Sequence, residues 1–444
     1  MQTKIINKFE HSLVSVGKGA YGQVYQAGDD MVAKVYQYNT ELEYSTIREI
    51  SCLVMLSTYY HIPTLYGVTV ANQDKILLER AELGSLDQYF KSFGAKKMDT
   101  TNIMKLIRQM LLTLDLLNQH QIAHRDIKPA NILINSSGDF LLCDFTLAKY
   151  ADPDARDMLH TGVVQSLAYR APEVILHPGK YDLQLIDVWS LGIIAIDLLC
   201  GFHIFSSTET EAGHINSISQ KFGTPPLSGT IYDGKIISCD GLEINQIVSK
   251  HIEPKLCSLL QDLTEVNYLK RLRPNDLLKK HFSINPVEIL PCIDVLKEYQ
   301  LKTSILKICK KRKVQIENMV DYYDSIEIYH NPDTLFLGLL IFDLVISRDP
   351  SLSTRSCLGI CSLSLASKVH EYEILSLEDL TVEINQDYES ALEMEKKIFS
   401  LLSMMLFLPG YNHFKKGSQS DLVSDILDLS YLNVLRSNST YNVL

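Results

Sequence analysis

His124-Arg125-Asp126-Ile-Lys128-Pro-Ala-Asn131 sets three side chains of different chemistry on one short segment, and Asp144-Phe145-Thr146 follows 13 residues after the asparagine. A carboxylate that can orient and deprotonate a hydroxyl, a cation two residues on and an amide that can ligate a metal are the groups that moving a phosphoryl group onto an alcohol requires. Upstream, Gly17-Lys18-Gly19-Ala20-Tyr21-Gly22-Gln23-Val24 carries three glycines, which let a backbone close on a polyphosphate. Taken alone, that stretch reads equally as a glycine-bearing hairpin with no ligand. Met31-Val-Ala33-Lys34 puts a lysine at the end of an apolar strand, where it could hold two phosphates or stand solvated. Glu49, in Ser45-Thr-Ile-Arg48-Glu49-Ile-Ser51, lies at a spacing from which a helical carboxylate can pair with Lys34.

The elements that must position these groups are legible in outline. Gly17 to Ala33 alternates and carries glycines, which predicts a hairpin. Ile103 to Leu117 repeats apolar residues at helical spacing behind the capping candidates Thr100 and Thr101. Strands, glycine turns and helices mix up to about Phe282, whereas every strong pattern beyond it is helical, so a domain boundary is expected near 283–300. No internal repeat or low-complexity tract interrupts the chain.

The segment from His124 to Thr146 resembles the catalytic core of protein kinases. The resemblance implies that Asp126 is the catalytic base, that Lys128 contacts the moving phosphoryl group, and that Asn131 and Asp144 hold Mg²⁺. It further implies an ATP cradle from Val16 and Gly17 to Val24, with Ala33, Lys34 and Glu49, a gatekeeper at Leu78, and a hinge from Glu79 to Ala81. Ala171-Pro-Glu173 closes an activation segment, Asp187-Val-Trp189-Ser opens an apolar helix that ends at Gly201, and Arg273 is expected to pair with Glu173. Lysine at position 128 is typical of serine/threonine kinases. The third residue of the metal-binding motif is usually glycine and is Thr146 here; a β-branched residue restricts the rotation that glycine permits. A catalytically silent mimic acting as a scaffold therefore stands beside the active enzyme as a reading.

Within kinases, Ser45 to Ser51 is similar to the helix that cyclin-dependent kinases present to their cyclin, and Phe222-Gly-Thr-Pro-Pro226 and Tyr169-Arg170-Ala-Pro-Glu173 resemble further marks of that group. Thr161 falls where these kinases are phosphorylated for activation, or is an ordinary loop threonine, and Ser166 falls where a hydroxyl contacts the catalytic aspartate. The phosphate-binding arginines of the group map to Arg48, Arg125 and Lys149, the last without the planar fork of arginine. Tyr21 matches an inhibitory phosphorylation site, whereas its usual threonine neighbour is Ala20. Gln165 replaces a valine of the pocket that accepts proline after the target residue, although Arg170 is kept, so proline-directed specificity stays open.

Thr334 to Ile346 is apolar nearly all round and predicts a central buried helix. Ser356 to His370 predicts a second helix whose Gly359, Ser362, Ser364 and Ala366 permit close approach. Ser376-Leu-Glu-Asp379 opens a third with a capping-box pattern, and Asp387 caps a fourth running to about Phe407. At least five helices fit between 315 and 410. Leu365-Ala-Ser-Lys368-Val-His-Glu371 and Met394-Glu395-Lys-Lys-Ile398 resemble the kinase-contacting helices of a cyclin box, which would make Lys368 and Glu395 the pair gripping the Glu49 helix. Ile316 stands where the family has an arginine, and Asp343 is followed by leucine; a generic helical extension with solvated charges is the alternative.

The 444 residues, 46% hydrophobic, suffice for two units with sizeable cores. A formal charge of -11 argues against general nucleic-acid binding, which depends on neutralising phosphates with lysine and arginine. Nine cysteines without a CxxC pair indicate neither a disulfide framework nor a zinc site. No signal-peptide run opens the chain, and the most apolar stretches, Leu335–Ile346 and Leu191–Cys200, are too short for a bilayer. The expectation is an intracellular protein of cytoplasm or nucleus without membrane partners; Lys310–Lys313 fits an import tag or a solvated helix face.

The expected fold is an α+β bilobal kinase (β-rich N-lobe 1–81, helical C-lobe 82–285), a partly helical connector over 286–314, an all-α cyclin-like bundle over 315–410, and a tail over 411–444. The expected activity is ATP- and Mg²⁺-dependent phosphorylation of protein serine and threonine, with the bundle activating the kinase in cis. Recruitment of an external cyclin and a domain-swapped dimer remain as rivals. A connector of about 30 residues would span about 45 Å even as continuous helix at ~1.5 Å per residue, and tethering of this kind gives effective concentrations of roughly millimolar.

Overall fold

The computed structural model describes residues 4–5, 14–18, 22–36, 43–57, 59–69, 75–92, 97–151, 166–177, 181–205, 210–226, 236, 238–248, 252–286, 319, 332–355, 357–370, 375–383, 386–402, 404 and 406. The chain divides into two compact units, Met1–Ile289 and Leu290–Leu444.

In the first unit, β1 (Lys4–Ile5), β2 (Ser15–Lys18), β3 (Gly22–Gln26), β4 (Met31–Tyr36), β5 (Leu65–Thr69) and β6 (Lys75–Glu79) form one sheet in the order β1-β5-β6-β4-β3-β2. The stretch read as a hairpin thus supplies three successive antiparallel strands, with Gly17 opposite Val24 and Val24 opposite Lys34. Successive strand residues face opposite ways, and Lys34 and Tyr36 share a face. Helix α1 (Tyr44–Leu56) packs on this sheet and on the turn Phe145–Leu147, and its Ile47, Ile50 and Leu53 are buried.

The rest of the unit is mostly helical: α2 (Leu86–Ser92), α3 (Thr100–Gln119), α4 (Pro172–Leu176), α5 (Leu185–Cys200), α6 (Glu211–Phe222), α7 (Ile244–Ile247), α8 (Pro254–Leu263) and α9 (Pro274–Leu277). Short pairs β7 (Ile122–Ala123) with β10 (Lys149–Tyr150), and β8 (Ile132–Ile134) with β9 (Phe140–Leu142), carry the loops between them. Helix α3 is capped by Asp99, whose carboxylate accepts the Asn102 amide at 2.9 Å; Thr100 and Thr101, expected as caps, are its first helical residues. Helix α5 is buried along its whole length and stops at Gly201, whose φ of 77° is open to glycine at little cost.

The described elements of the second unit are all helical: α10 (Pro332–Arg348), a 3₁₀ turn (Pro350–Thr354), α11 (Leu358–His370), α12 (Leu377–Glu383) and α13 (Tyr388–Leu401). Of the at least five expected helices, four α-helices are thus described; the part of this span before 332 lies outside the described residues apart from Met319. Helix α10 is buried as expected, and α11, which touches α10, α12 and α13, is buried at every described position. Gly338 lets α10 and α11 close up, since a Cβ there would stand 3.3 Å from Leu363 Cα. Asp387 caps α13 by accepting the Ser390 amide at 2.9 Å, but the helix ends at Leu401 instead of Phe407. Met404 adopts φ 63°, outside the helical region, while Leu402, Met404 and Leu406 remain buried. The apolar pattern there reports burial, not continued helix.

Candidate active site

Strand β4 and helix α1 bring Lys34 and Glu49 together. The Lys34 ammonium donates to Glu49 Oε1 at 2.7 Å and Oε2 at 2.6 Å, and to Asp144 Oδ1 at 3.0 Å, so its three protons are all engaged. Tyr36 Oη donates to Glu49 Oε2 at 2.8 Å, and Thr146 Oγ1 to Asp144 Oδ1 at 3.1 Å. Burial lowers the Lys34 pKa, but the two carboxylates outweigh it and hold the ammonium above its ordinary value. Burial also raises Glu49, against the pull of Lys34; for Asp144 the attraction of Lys34 prevails over burial and its pKa falls. Asp144 sits at φ 68°, a left-handed conformation uncommon for a side-chain-bearing residue.

The second group stands on the segment between β7 and β8. Buried Asp187, at the start of α5, accepts the His124 amide on Oδ2 at 2.8 Å and the Arg125 amide on Oδ1 at 2.9 Å, which fixes the loop where Arg125 turns to φ 68°. Burial pushes the Asp187 carboxyl up to about 7, partly offset by these two donors. Asn131 Nδ2 donates to the Asp126 carbonyl at 2.9 Å and to its Oδ2 at 3.2 Å, and Lys128 Nζ donates to the same Oδ2 at 2.5 Å. Ser166 Oγ reaches Asp126 Oδ1 at 3.4 Å, the contact expected for that hydroxyl.

The two groups meet where β9 leads into Asp144. The Cys143 amide donates to the Asn131 carbonyl at 3.0 Å, and His124 Nε2 donates to the Cys143 carbonyl at 3.0 Å. Burial lowers the His124 pKa, which suits a neutral ring holding this bond. Asp126, Asn131 and Asp144 therefore lie on one hydrogen-bonded frame. With Asn131 Nδ2 committed to Asp126, its Oδ1 and the Asp144 carboxylate offer the hard oxygen donors that Mg²⁺ prefers; this donor set fits the ion.

Among the remaining expected residues, Val16 and Gly17 are exposed on β2, Lys18 pairs with Gln23, and Ala33 and Leu78 are buried in the sheet. Gly22 has a packing reason of its own, since a Cβ there would come within 2.5 Å of the Val35 carbonyl oxygen. The Glu79 carboxylate turns to Thr64, accepting its amide at 3.0 Å and hydroxyl at 2.9 Å, and the Ala81 carbonyl accepts the Gly84 amide. Arg48, Arg125 and Lys149 are all buried; Arg48 stacks on Tyr44 at 5.0 Å, and Lys149 pairs across the ladder with Ala123. Gly19, Ala20, Tyr21, Thr161 and Gln165 lie outside the described residues.

One pairing differs from expectation. Glu173 is bound by Arg271, with Nη1 at 2.5 Å and Nη2 at 3.1 Å, not by Arg273. Arg271 is buried with its guanidinium 5.1 Å from the Trp189 ring centroid, whereas Arg273, just before α9, reaches Asp182 and Gln184. Sequence reasoning also missed Tyr36, although its place two residues after Lys34 on one strand face was available as a signal, and the anchoring role of Asp187. In the second unit, Lys368 Nζ donates to Glu395 Oε1 at 2.8 Å and Oε2 at 2.7 Å, and Ser364 Oγ donates to Oε1 at 2.7 Å.

Residues 11–283 match the family model described as "Protein kinase domain". The chain belongs to the protein kinase family. Residues 292–406 of this kinase match the model described as "Cyclin, N-terminal domain". Curated relatives include mitogen-activated protein kinase HOG1 of Phaeosphaeria nodorum, 29% identical over 285 residues, covering 60% of this chain and 77% of the relative. The protein of the same name from Cochliobolus heterostrophus is 30% identical over 285 residues with the same coverage. Mitogen-activated protein kinase sakA of Aspergillus fumigatus is 29% identical over 289 residues, covering 61% and 75%. The chain is a serine/threonine protein kinase with a cyclin domain on the same polypeptide, of a family that uses ATP and Mg²⁺ on protein substrates. No described helix is long and apolar enough to cross a membrane.

Proposed function

We propose that this kinase is of the cyclin-dependent type and that its own cyclin domain activates it in cis by holding α1, and with it Glu49, against Lys34. What carries the proposal is the succession of a kinase domain and a cyclin domain within one chain, next to a closed Lys34–Glu49 pair. The curated relatives above bear mitogen-activated names, so the cyclin-dependent assignment rests on Ser45 to Ser51, on Phe222 to Pro226 and on the cyclin domain. The buried Lys368–Glu395 pair braces α11 against α13, the helices proposed to present the surface that meets α1.

In the proposed reaction Lys34, placed by Glu49, holds the nucleotide phosphates, and Asn131 and Asp144 hold the divalent ion. Bound there, Mg²⁺ would offset negative charge on the phosphates. Asp126 orients the acceptor hydroxyl of a serine or threonine and takes its proton, while Lys128, now on Asp126, turns to the transferred phosphoryl group. Arg48, Arg125 and Lys149 would receive a phosphate on Thr161, and one on Tyr21 would oppose ATP binding.

Asp126→Asn should abolish labelling of a protein substrate by ATP with Mg²⁺ present; equal silence of both forms supports the scaffold reading that Thr146 raises. Ending the chain after Ile289 should sharply lower specific activity, and adding back 290–444 should restore it. Undiminished activity of the shortened chain would refute activation in cis. Activity of the full chain should stay proportional to its concentration on dilution, whereas a steeper fall indicates an external cyclin or a swapped dimer.

A further inference from the structure

Lys34 bridges two carboxylates, and each carboxylate receives a second donor from a hydroxyl. Tyr36 donates to the Glu49 oxygen that stands closest to Lys34, and Thr146 to the Asp144 oxygen that Lys34 touches. The chain therefore runs Tyr36–Glu49–Lys34–Asp144–Thr146, with two negative groups, one positive group and a neutral donor at each end. Tyr36 and Thr146 are themselves buried. Each is fixed by covalent neighbourhood: Tyr36 leaves the same strand face as Lys34, and Thr146 lies two residues beyond Asp144 in the Phe145–Leu147 turn, with the stiff χ1 of a β-branched side chain.

We propose that the hydroxyls of Tyr36 and Thr146 are positioning groups that hold the Lys34 bridge assembled from its two ends. The inference rests on the reading of Lys34, Glu49 and Asp144 as the groups that handle phosphate and metal. The need arises when nucleotide binds. All three ammonium protons are spent on carboxylates, so contact with a phosphate requires Lys34 to release at least one of them. A carboxylate that loses its cation in a buried site tends to turn away or take up a proton. A hydroxyl already bonded to the same oxygen keeps the charge solvated and the rotamer fixed while Lys34 changes partner. Thr146 in this view is a gain of hydrogen bonding over glycine, not a lesion.

The test uses the full chain: Tyr36→Phe, Thr146→Val and the Tyr36→Phe/Thr146→Val pair remove the hydroxyl with little change of shape, Thr146→Ser keeps it, and Thr146→Gly removes the side chain, with melting temperature as the check on folding. Tyr36→Phe and Thr146→Val should each lower kcat/KM for ATP about tenfold, the scale of one lost hydrogen bond to a charge. Thr146→Val should also raise the Mg²⁺ concentration for half-maximal rate, which a purely structural role would leave alone. Thr146→Ser should stay within about twofold of the parent, and Thr146→Gly should lose activity. The two single losses should not multiply in the pair, because opening either end frees the same bridge. Parental kcat/KM in both single variants, or a serine variant as impaired as the valine variant, would overturn the proposal, as would fully multiplicative losses. Should Tyr36→Phe fail to fold, the position 146 series decides alone. Lys34→Met and Asp144→Asn serve as controls: activity retained in these means the site reading itself has failed, whereas their silence beside parental hydroxyl variants removes only the positioning role of Tyr36 and Thr146.

Discussion

The kinase unit and the cyclin-like unit each contain a lysine that binds both oxygens of a glutamate, with a hydroxyl on that same carboxylate: Lys34, Glu49 and Tyr36 in one, Lys368, Glu395 and Ser364 in the other. The distances agree to within a few tenths of an ångström, so the pair by itself does not determine what it is for. The difference lies around it. Lys34 joins a strand to a helix and gives its third proton to Asp144, whose side chain is 27% exposed. Lys368 and Glu395 join two helices, and their side chains are 4% and 0% exposed. A bridge that borders an open group can exchange a partner for substrate; a sealed one keeps its partners, and this one holds α11 to α13.

Substitutions at three positions sharpen that contrast. Lys34→Met should lower kcat/KM by three orders of magnitude or more, on the order of 4 kcal/mol of transition-state stabilisation, read as phosphate transfer to a protein substrate. Lys368→Met should act on stability instead, leaving Glu395 buried without its cation at a cost of roughly 3 kcal/mol; denaturant unfolding of the second unit measures it. If Lys368→Met slowed phosphate transfer while that unit melted normally, the division into exchanging and sealed pairs would be wrong. Ser364→Ala removes one hydrogen bond to the sealed carboxylate and should reduce unfolding free energy by about 1.5 kcal/mol, with Ser364→Thr retaining most of it.

The exchanging pair was legible in the sequence because its members lie on elements of fixed geometry: Lys34 on an apolar strand, which runs two residues further than the expected end at Lys34, and Glu49 on the next helix. Asp126, Lys128, Asn131 and Asp144 were legible for a similar reason, being spaced along one loop and the hairpin that returns beside it. Lys368 and Glu395 were found through the resemblance of their helices to a cyclin box, as the pair expected to grip the Glu49 helix, but their bond to each other and its closure by Ser364 depend on how α11 meets α13, which no local pattern encodes. Arg271 and Arg273 are two arginines two residues apart, and the choice between them is made by a carboxylate 98 residues away and by the face of Trp189. The end of α13 was overrun because burial persists through Leu406 after the backbone has left the helix.

A third acid–base pair, half open, lies between these extremes. Asp197 on α5 is buried and accepts the Ile204 amide at 2.9 Å and Tyr169 Oη at 3.2 Å, and His203 Nδ1 lies 2.9 Å from its Oδ2. The bond to Asp197 raises the His203 pKa against the opposing effect of burial, with Asp87 adding to the rise and Lys91 subtracting. A histidine whose folded pKa exceeds its unfolded value stabilises the fold fully below that unfolded value, near 6.5, and loses the contribution as pH climbs through the folded one. Burial raises Asp197 as well, and that shift has the same sign. The melting temperature of the parent should therefore exceed that of His203→Gln by about 2 °C near pH 6, and the gap should shrink toward pH 8. Because the imidazole is more than one-third exposed, added salt should narrow the gap at pH 6. A gap that widened with pH would mean that His203 is held neutral against Tyr169, and that this pair belongs with the sealed class.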